Sequence, residues 1–331
     1  MPLADEIARL AADTRASASA LLARAVPLLQ EARRVGPAVL EETARALCRA
    51  QPSMGSLWNA AAAALDPDPG VLETFAARAR RAPQAVARHV RALLGGEPAE
   101  SAAPPSSSGT GRHHPASGAG QGPATSGRRL AGPGRDEPLR IVTVSSSGTV
   151  RAALLALAAS RRLSVVCTES RPGGEGRDEA AVLAAAGVDV AVVPDAAVGM
   201  AVREADAVLV GADAAAADWF VNKVGTGPMA MVSTLAGTPV YVLAGSDKLV
   251  AGTLAVLLAL REAAPGEVWP DAPARVCVRA PLFERVAWDH VVGLVTEAGL
   301  LAGPMVRDAC EGVGRRVGAD RLAELLVRAD L

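Results

Sequence analysis

Aromatic residues are nearly missing from this chain: one tyrosine, three phenylalanines and four tryptophans among 331 residues. The hydrophobic half of the sequence is mostly alanine, valine and leucine, which suits close packing of helix on helix and helix on sheet. Cysteine is also scarce. Cys48, Cys167, Cys277 and Cys310 are scattered, with no C-x-x-C and no His/Cys cluster. That spacing argues against a zinc site or a disulfide framework and for a reducing, cytoplasmic setting. Charge of either sign is not in excess: the net charge is −1, so no overall field recruits nucleic acid or an anionic membrane. Long apolar runs are lacking too. Ala251–Leu260 falls well short of the roughly 20 residues that span a bilayer. The stretch Met1–Glu6 has neither a basic nor an apolar leader region, so no signal peptide is expected.

The missing motifs narrow the chemistry. No G-x-G-x-x-G follows a strand, no G-x-x-x-x-G-K-[ST] occurs, and there is no G-x-S-x-G elbow. No cofactor is therefore expected. His290 is the only histidine after residue 139 and lies beyond the expected sheet, which argues against a Ser-His-Asp triad or a histidine general base at the strand edge. His113 and His114 are adjacent, but two histidines on a polar, glycine-rich stretch make a poor metal site, and no metal is expected.

The residues present divide the chain into three parts. Residues 1–95 are rich in Ala, Leu, Glu and Arg and show helical periodicity, with breaks at Gly36-Pro37, Gln51-Pro52-Ser53 and Asp66–Gly70. This predicts a bundle of four or five helices, with Ser53 as N-cap of a helix running to Leu65. Residues 96–138 hold Pro, Gly and Ser with almost no large apolar side chain, the composition of a disordered linker. From residue 139 to 331, short apolar strands alternate with helices. The predicted strands are Leu139–Val144, Leu163–Cys167, Asp189–Val193, Ala207–Val210 and Val240–Leu243. Helices fall at Gly148–Ala159, Gly176–Ala186 and Ala196–Glu204, and another ends at Leu235. Gly211–Gly225 reads as a loop, Val276–Val278 as a late strand, and the tail from Trp288 as helix. The expected class is α/β, a helical bundle followed by a Rossmann-like domain with a mostly parallel sheet.

Polar clusters collect where these strands end. They are Ser145-Ser146-Ser147-Gly148, Glu169-Ser170-Arg171, the residues from Asp195, and Gly211-Ala212-Asp213, with Asn222-Lys223 further along. Ligands of open parallel sheets bind at that edge. Ser-Ser-Ser-Gly before a helix offers hydroxyls and free N–H groups to an oxyanion, or serves simply as a cap and turn. Arg171, Arg177 and Lys223 would counter a phosphate. Glu169 and Arg171 could equally form a surface ion pair, and Asp213 could simply cap the segment after it.

These residues also resemble a known family. Thr168-Glu169-Ser170-Arg171-Pro172, Glu175-Gly176-Arg177, Val210-Gly211-Ala212-Asp213 and Asn222-Lys223-Val224-Gly225-Thr226 carry the likeness. Arg49–Met54, Pro281–Glu284 and Val295–Leu300 extend it over most of the chain. The family holds the alpha, beta and delta regulatory subunits of translation initiation factor 2B and their prokaryotic relatives. It also holds isomerases of methylthioribose 1-phosphate and ribose 1,5-bisphosphate. The resemblance implies a homodimer formed through the Rossmann-like domain. It also implies an interdomain pocket for a phosphorylated sugar or nucleotide, contacted by Ser145, Ser146, Ser147, Glu169, Arg171, Arg177, Asp213, Asn222 and Lys223. In the isomerases, an aspartate matching Asp213 works with a cysteine whose position here is Ser145. Their Arg-Gly-Ala phosphate motif corresponds to Arg15–Ala20, which departs from it. The resemblance thus implies a non-enzymatic, regulatory member first and an aldose–ketose isomerase second. A role in translation would require a G-protein partner, of which the sequence carries no sign.

Overall fold

A computed structural model describes residues 3–95 and 137–328. The expected linker lies outside the described residues except for its last two, and His113 and His114 lie outside them as well.

The first part forms five helices: α1 Leu3–Ala12, α2 Ala18–Val35, α3 Pro37–Ala50, α4 Gly55–Leu65 and α5 Pro69–Leu94. Every residue of α4 is buried, as its Ala60–Ala64 run and lack of charge dictate. Polar caps start two of the others. Ser17 accepts from the Ala20 N–H at α2, and Asp68 accepts from the Gly70 N–H at α5. Ser53 does not cap α4, which begins two residues later. Its hydroxyl donates to the Ala259 carbonyl and accepts from the Arg261 N–H, so a distant segment has taken it.

The second part runs β1 Leu139–Thr143, α6 Gly148–Ala158, β2 Leu163–Thr168, α7 Glu175–Ala185, β3 Asp189–Val193, α8 Val198–Arg203 and β4 Ala207–Gly211. It continues β5 Ala214–Ala215, β6 Trp219–Lys223, α9 Thr226–Ala236, β7 Val240–Leu243, α10 Gly252–Ala255, β8 Phe283–Ala287, β9 Gly293–Thr296 and β10 Gly299–Leu301. Helices α11 Pro304–Val317 and α12 Ala319–Val327 complete it. The main sheet has the order β10-β9-β7-β4-β1-β2-β3 and is parallel except for β10. The chain steps outward from β1 through β2 to β3, then returns to place β4 on the other side of β1. The strand order therefore reverses between β1 and β4, which opens a crevice at their carboxyl ends.

Three expectations need correction. The Gly211–Gly225 stretch is not a plain loop: β5 and β6 pair antiparallel, and β6 pairs in turn with β8. Asn222 and Lys223 thus lie in a strand, and α9 starts after them. The pairing partner β8 is remote in sequence, so local pattern could not show it. Val276–Val278 is not a strand; the late strand is β8. The tail from Trp288 makes β9 and β10 before it turns helical, and β9 extends the main sheet beside β7.

Helix α4 joins the two parts. The Gly55 N–H donates to the Asp213 carbonyl at 2.9 Å. Gly55 permits this approach, because a Cβ there would lie 2.7 Å from Val250 Cγ2 and 3.0 Å from Ala214 Cβ. No helix among the described residues is long and apolar enough to cross a membrane.

Candidate functional site

A cleft of about 700 Å³, counting its open mouth, lies at the crevice between β1 and β4 and is roofed by the helical part. The segments that leave the two strands make its floor. After β1, Ser145 adopts a left-handed conformation, with φ of 65°, and its N–H donates to Ser170 Oγ at 2.7 Å. Ser146 Oγ donates to Glu179 at 2.8 Å and accepts from Arg151 at 2.8 Å. Ser147 caps α6, accepting from the Val150 N–H. It presses on Gly211, where a Cβ would come within 2.8 Å of the serine oxygen. The first turn of α6, starting at Gly148, leaves N–H groups without intrahelical acceptors facing the cleft.

Asp213 is the second residue after β4. Burial pushes its carboxyl up to about 6, with help from Glu175, while Lys248 and Lys223 pull it down. Beside it on β6, Asn222 donates to Thr226 Oγ1 at 3.0 Å, and that hydroxyl donates to the Lys223 carbonyl at 2.6 Å. Lys223 is buried. Its ammonium donates to the Pro172 carbonyl at 2.6 Å and to Glu175 Oε1 at 2.9 Å, and the second Glu175 oxygen is also 2.9 Å away. Its charge is thus largely balanced inside the protein.

The cleft collects Ser145, Ser146, Ser147, Asp213, Asn222 and Lys223. Glu169, Arg171 and Arg177 do not line it. Asp195 accepts from the N–H groups of Ser170 and Arg171 at 2.7 and 2.6 Å, which holds that turn beneath β1. The exposed Arg171 guanidinium donates to the Glu267 carbonyl at 2.8 Å instead of pairing with Glu169. Arg177 is exposed and lies over Gly174.

Reading for strand-end clusters misses half of the wall. Lys248 is 4% exposed and lines the cleft from the 3-10 turn Ser246–Lys248 that comes after β7. Among the described residues its ammonium makes no hydrogen bond and has no carboxylate within 4 Å. Asn59 holds the turn in place by donating to the Asp247 and Leu249 carbonyls at 2.8 and 2.7 Å. The available signal was its position: Ser246-Asp247-Lys248 is a further polar cluster at the carboxyl end of a strand, β7, that the sequence already placed.

The roof is the loop from Asp13 into α2. Burial raises the Asp13 carboxyl, but bonds from the N–H groups of Ala16 and Arg15 and from Arg24 outweigh that and hold it low. Gln51 donates to the Leu10 and Asp13 carbonyls, and Arg261 donates to those of Ala11 and Asp13. These bonds hold the loop so that the N-terminus of α2, with Ser17 and Ser19, lines the same cleft as that of α6. Arg15 reaches the Gly173 carbonyl at 3.1 Å. The motif-like stretches Arg15–Ala20 and Arg49–Met54 were the available signals for this roof.

The arrangement suits an anion. Two helix N-termini and one unbalanced ammonium face a space that holds one carboxyl titrating near neutrality. Among the described residues no cysteine or histidine lines it. Cys167 is buried in the core, and burial, with Glu179 adding, pushes its thiol up to about 12. Among the described residues no group of three His, Cys, Asp or Glu side chains is placed to hold a metal.

A sequence model described as the Initiation factor 2 subunit family matches residues 135–303, just over half of the chain. The ribose 1,5-bisphosphate isomerase of Methanocaldococcus jannaschii is 33% identical over 143 residues, 42% of this chain and 46% of that protein. A putative translation initiation factor eIF-2B subunit 2-like protein of Pyrococcus horikoshii is 34% identical over 170 residues, 50% of this chain and 58% of the relative. The chain thus spans about half the length of the curated relatives it matches. Among solved structures, the Pyrococcus horikoshii translation initiation factor eIF-2B superposes with a TM-score of 0.69 at 25% identity, covering 93% of this chain and 98% of that one. The 5-methylthioribose 1-phosphate isomerase of the same organism superposes with a TM-score of 0.58 at 16% identity, covering 95% and 87%, a likeness of fold alone.

Proposed function

This chain belongs to the Initiation factor 2 subunit family, and within it we propose a binding or regulatory protein of the initiation factor 2B-like kind. It holds a phosphorylated sugar or nucleotide in the cleft and releases it unchanged. One observation carries the reading. Lys248, buried and without a hydrogen bond among the described residues, lines the cleft together with the N-termini of α2 and α6, yet no described cysteine stands there with Asp213. A free thiol titrates near 8.5, and the Ser145 hydroxyl is a far weaker acid. Proton traffic between two sugar carbons needs a group on each side of the substrate. In this reading the phosphate sits against Lys248 and the first turns of α6 and α2, with Asp213 and Asn222 binding sugar hydroxyls. A homodimer formed through the α/β part, in the cytoplasm, belongs to the same proposal.

The second reading is an aldose–ketose isomerase acting on a pentose 1-phosphate. Asp213 favours it, because a carboxyl near 6 can both take and give a proton at neutral pH. Incubation with ribose 1,5-bisphosphate or methylthioribose 1-phosphate, followed by proton NMR, separates the two. Binding that raises the melting temperature without ketose formation supports the first. Turnover that disappears in Asp213→Asn overturns it in favour of the second.

A further inference from the structure

A second pocket lies on the other side of the turn that carries Lys248. It is about 680 Å³ counting its mouth and sits between the start of α5 and the end of α11. Its walls are apolar, with Val71, Phe75, Ala79, Val313 and Val317. Arg78 from α5 and Arg316 from α11 also line it. Neither guanidinium makes a hydrogen bond, nor lies within 4 Å of a carboxylate, among the described residues. They are close enough to repel: burial first, and then Arg78, lower the Arg316 pKa. Glu297 offsets part of that repulsion at Arg316, but it makes no ion pair within 4 Å and its oxygens are bonded to Ser246.

Asp247 also lines this pocket. It is 6% exposed, and no N–H or O–H of another described residue donates to its carboxylate. The neighbouring carboxylates are otherwise engaged. Asp68 caps α5 through the Gly70 N–H at 2.8 Å, and Glu297 accepts from the Ser246 N–H and hydroxyl. The pocket therefore offers two free guanidiniums, one free buried acceptor and an apolar wall.

We propose that this pocket is a second ligand site, distinct from the cleft, for a small organic phosphate that also carries a hydroxyl or amine. The phosphate bridges Arg78 and Arg316, whose planar forks match its oxygens. The donor group satisfies Asp247, and the body of the ligand lies on Phe75 and Val313. Inorganic phosphate alone fills only the guanidinium half.

Hydrogen–deuterium exchange on the full chain tests this, with ribose 5-phosphate as probe and inorganic phosphate as control. Ribose 5-phosphate should slow exchange in residues 70–79 and 313–317. Arg78→Ala with Arg316→Ala should raise the concentration needed at least tenfold, and both side chains are exposed enough for the variant to fold. Three results would each overturn the proposal. They are no protection outside the cleft segments, protection that survives loss of both arginines, and equal protection by inorganic phosphate. Loss of protection at the cleft alone would count against the cleft reading and leave this one standing.

Discussion

Replacing Asp213 by asparagine should stabilise the protein, and the gain should depend on pH. The folded chain holds the Asp213 proton up to about pH 6, whereas an ordinary aspartate releases it near 3.8. Folding therefore takes up a proton between those values, and stability falls as pH rises through that window. At about 1.4 kcal/mol per pH unit, the full difference is about 3 kcal/mol, reached above about pH 7. Asparagine has the same shape and no charge to bury. The backbone bonds of residue 213 to Gly55 and Val221 do not involve the side chain. Urea unfolding of both proteins at pH 4, 5, 6, 7 and 8 measures the gap. It should be about 0.5 kcal/mol at pH 4, widen through pH 5 and 6, and level off by pH 7. Asp247 is also pushed up to about 6, by burial first, but it is present in both proteins and cancels in the comparison. A gap that is flat with pH, or in which asparagine is the less stable at pH 7, would refute the reasoning. A residue that costs stability in this way is kept for what it does in the cleft.

Other side chains give further tests. Lys248→Met should weaken sugar-phosphate binding by about 10- to 100-fold in calorimetry, since bonds to charged groups contribute about 1.5–3 kcal/mol, and should lower the melting temperature at pH 7, because Asp213 and Asp247 both lose the charge that most favours their ionised forms. Glu175→Gln leaves Lys223 buried without its counter-charge and should destabilise by about 3–5 kcal/mol in urea. Gly211→Ala drives a Cβ into Ser147 and should lower stability by about 1–3 kcal/mol, with loss of sugar-phosphate affinity because the start of α6 moves. Arg171→Ala should leave affinity unchanged and stability within about 0.5 kcal/mol, because its exposed guanidinium touches only the Glu267 carbonyl.

Much of the fold could be read from local pattern. Strand–helix alternation located β3 and β7 at Asp189–Val193 and Val240–Leu243 and placed β1, β2 and β4 to within a residue at their ends, because buried parallel strands are apolar runs and even β3, a largely exposed edge strand, is rich in valine. The strands that were missed, β5, β6, β8, β9 and β10, take their stability from partners far along the chain or from a sheet already formed. Residues 276–278 have strand-like composition but no edge to pair with. Ser53 fails as a cap for a similar reason: its hydroxyl is satisfied by Ala259 and Arg261, about two hundred positions away.

The site divides along the same line, with a consequence for how it handles charge. Ser145–Ser147 and Asp213 were visible because they sit at the ends of strands that turn out to flank the switch point. Lys223 was visible too, as the natural phosphate contact. Folding gives it Glu175, so the pair presents little net charge to a ligand. The unbalanced cation is Lys248, brought in by a 3-10 turn that Asn59 of α4 holds through two backbone carbonyls. The Lys248 ammonium feels the charges of Asp213 and Asp247 but makes no hydrogen bond among the described residues, so an incoming phosphate gains its donors. The Lys223–Glu175 pair gains nothing comparable. Affinity should therefore track Lys248, and Asp213 beside it should bind its proton more tightly when that lysine is removed, because Lys248 is the largest influence lowering its pKa.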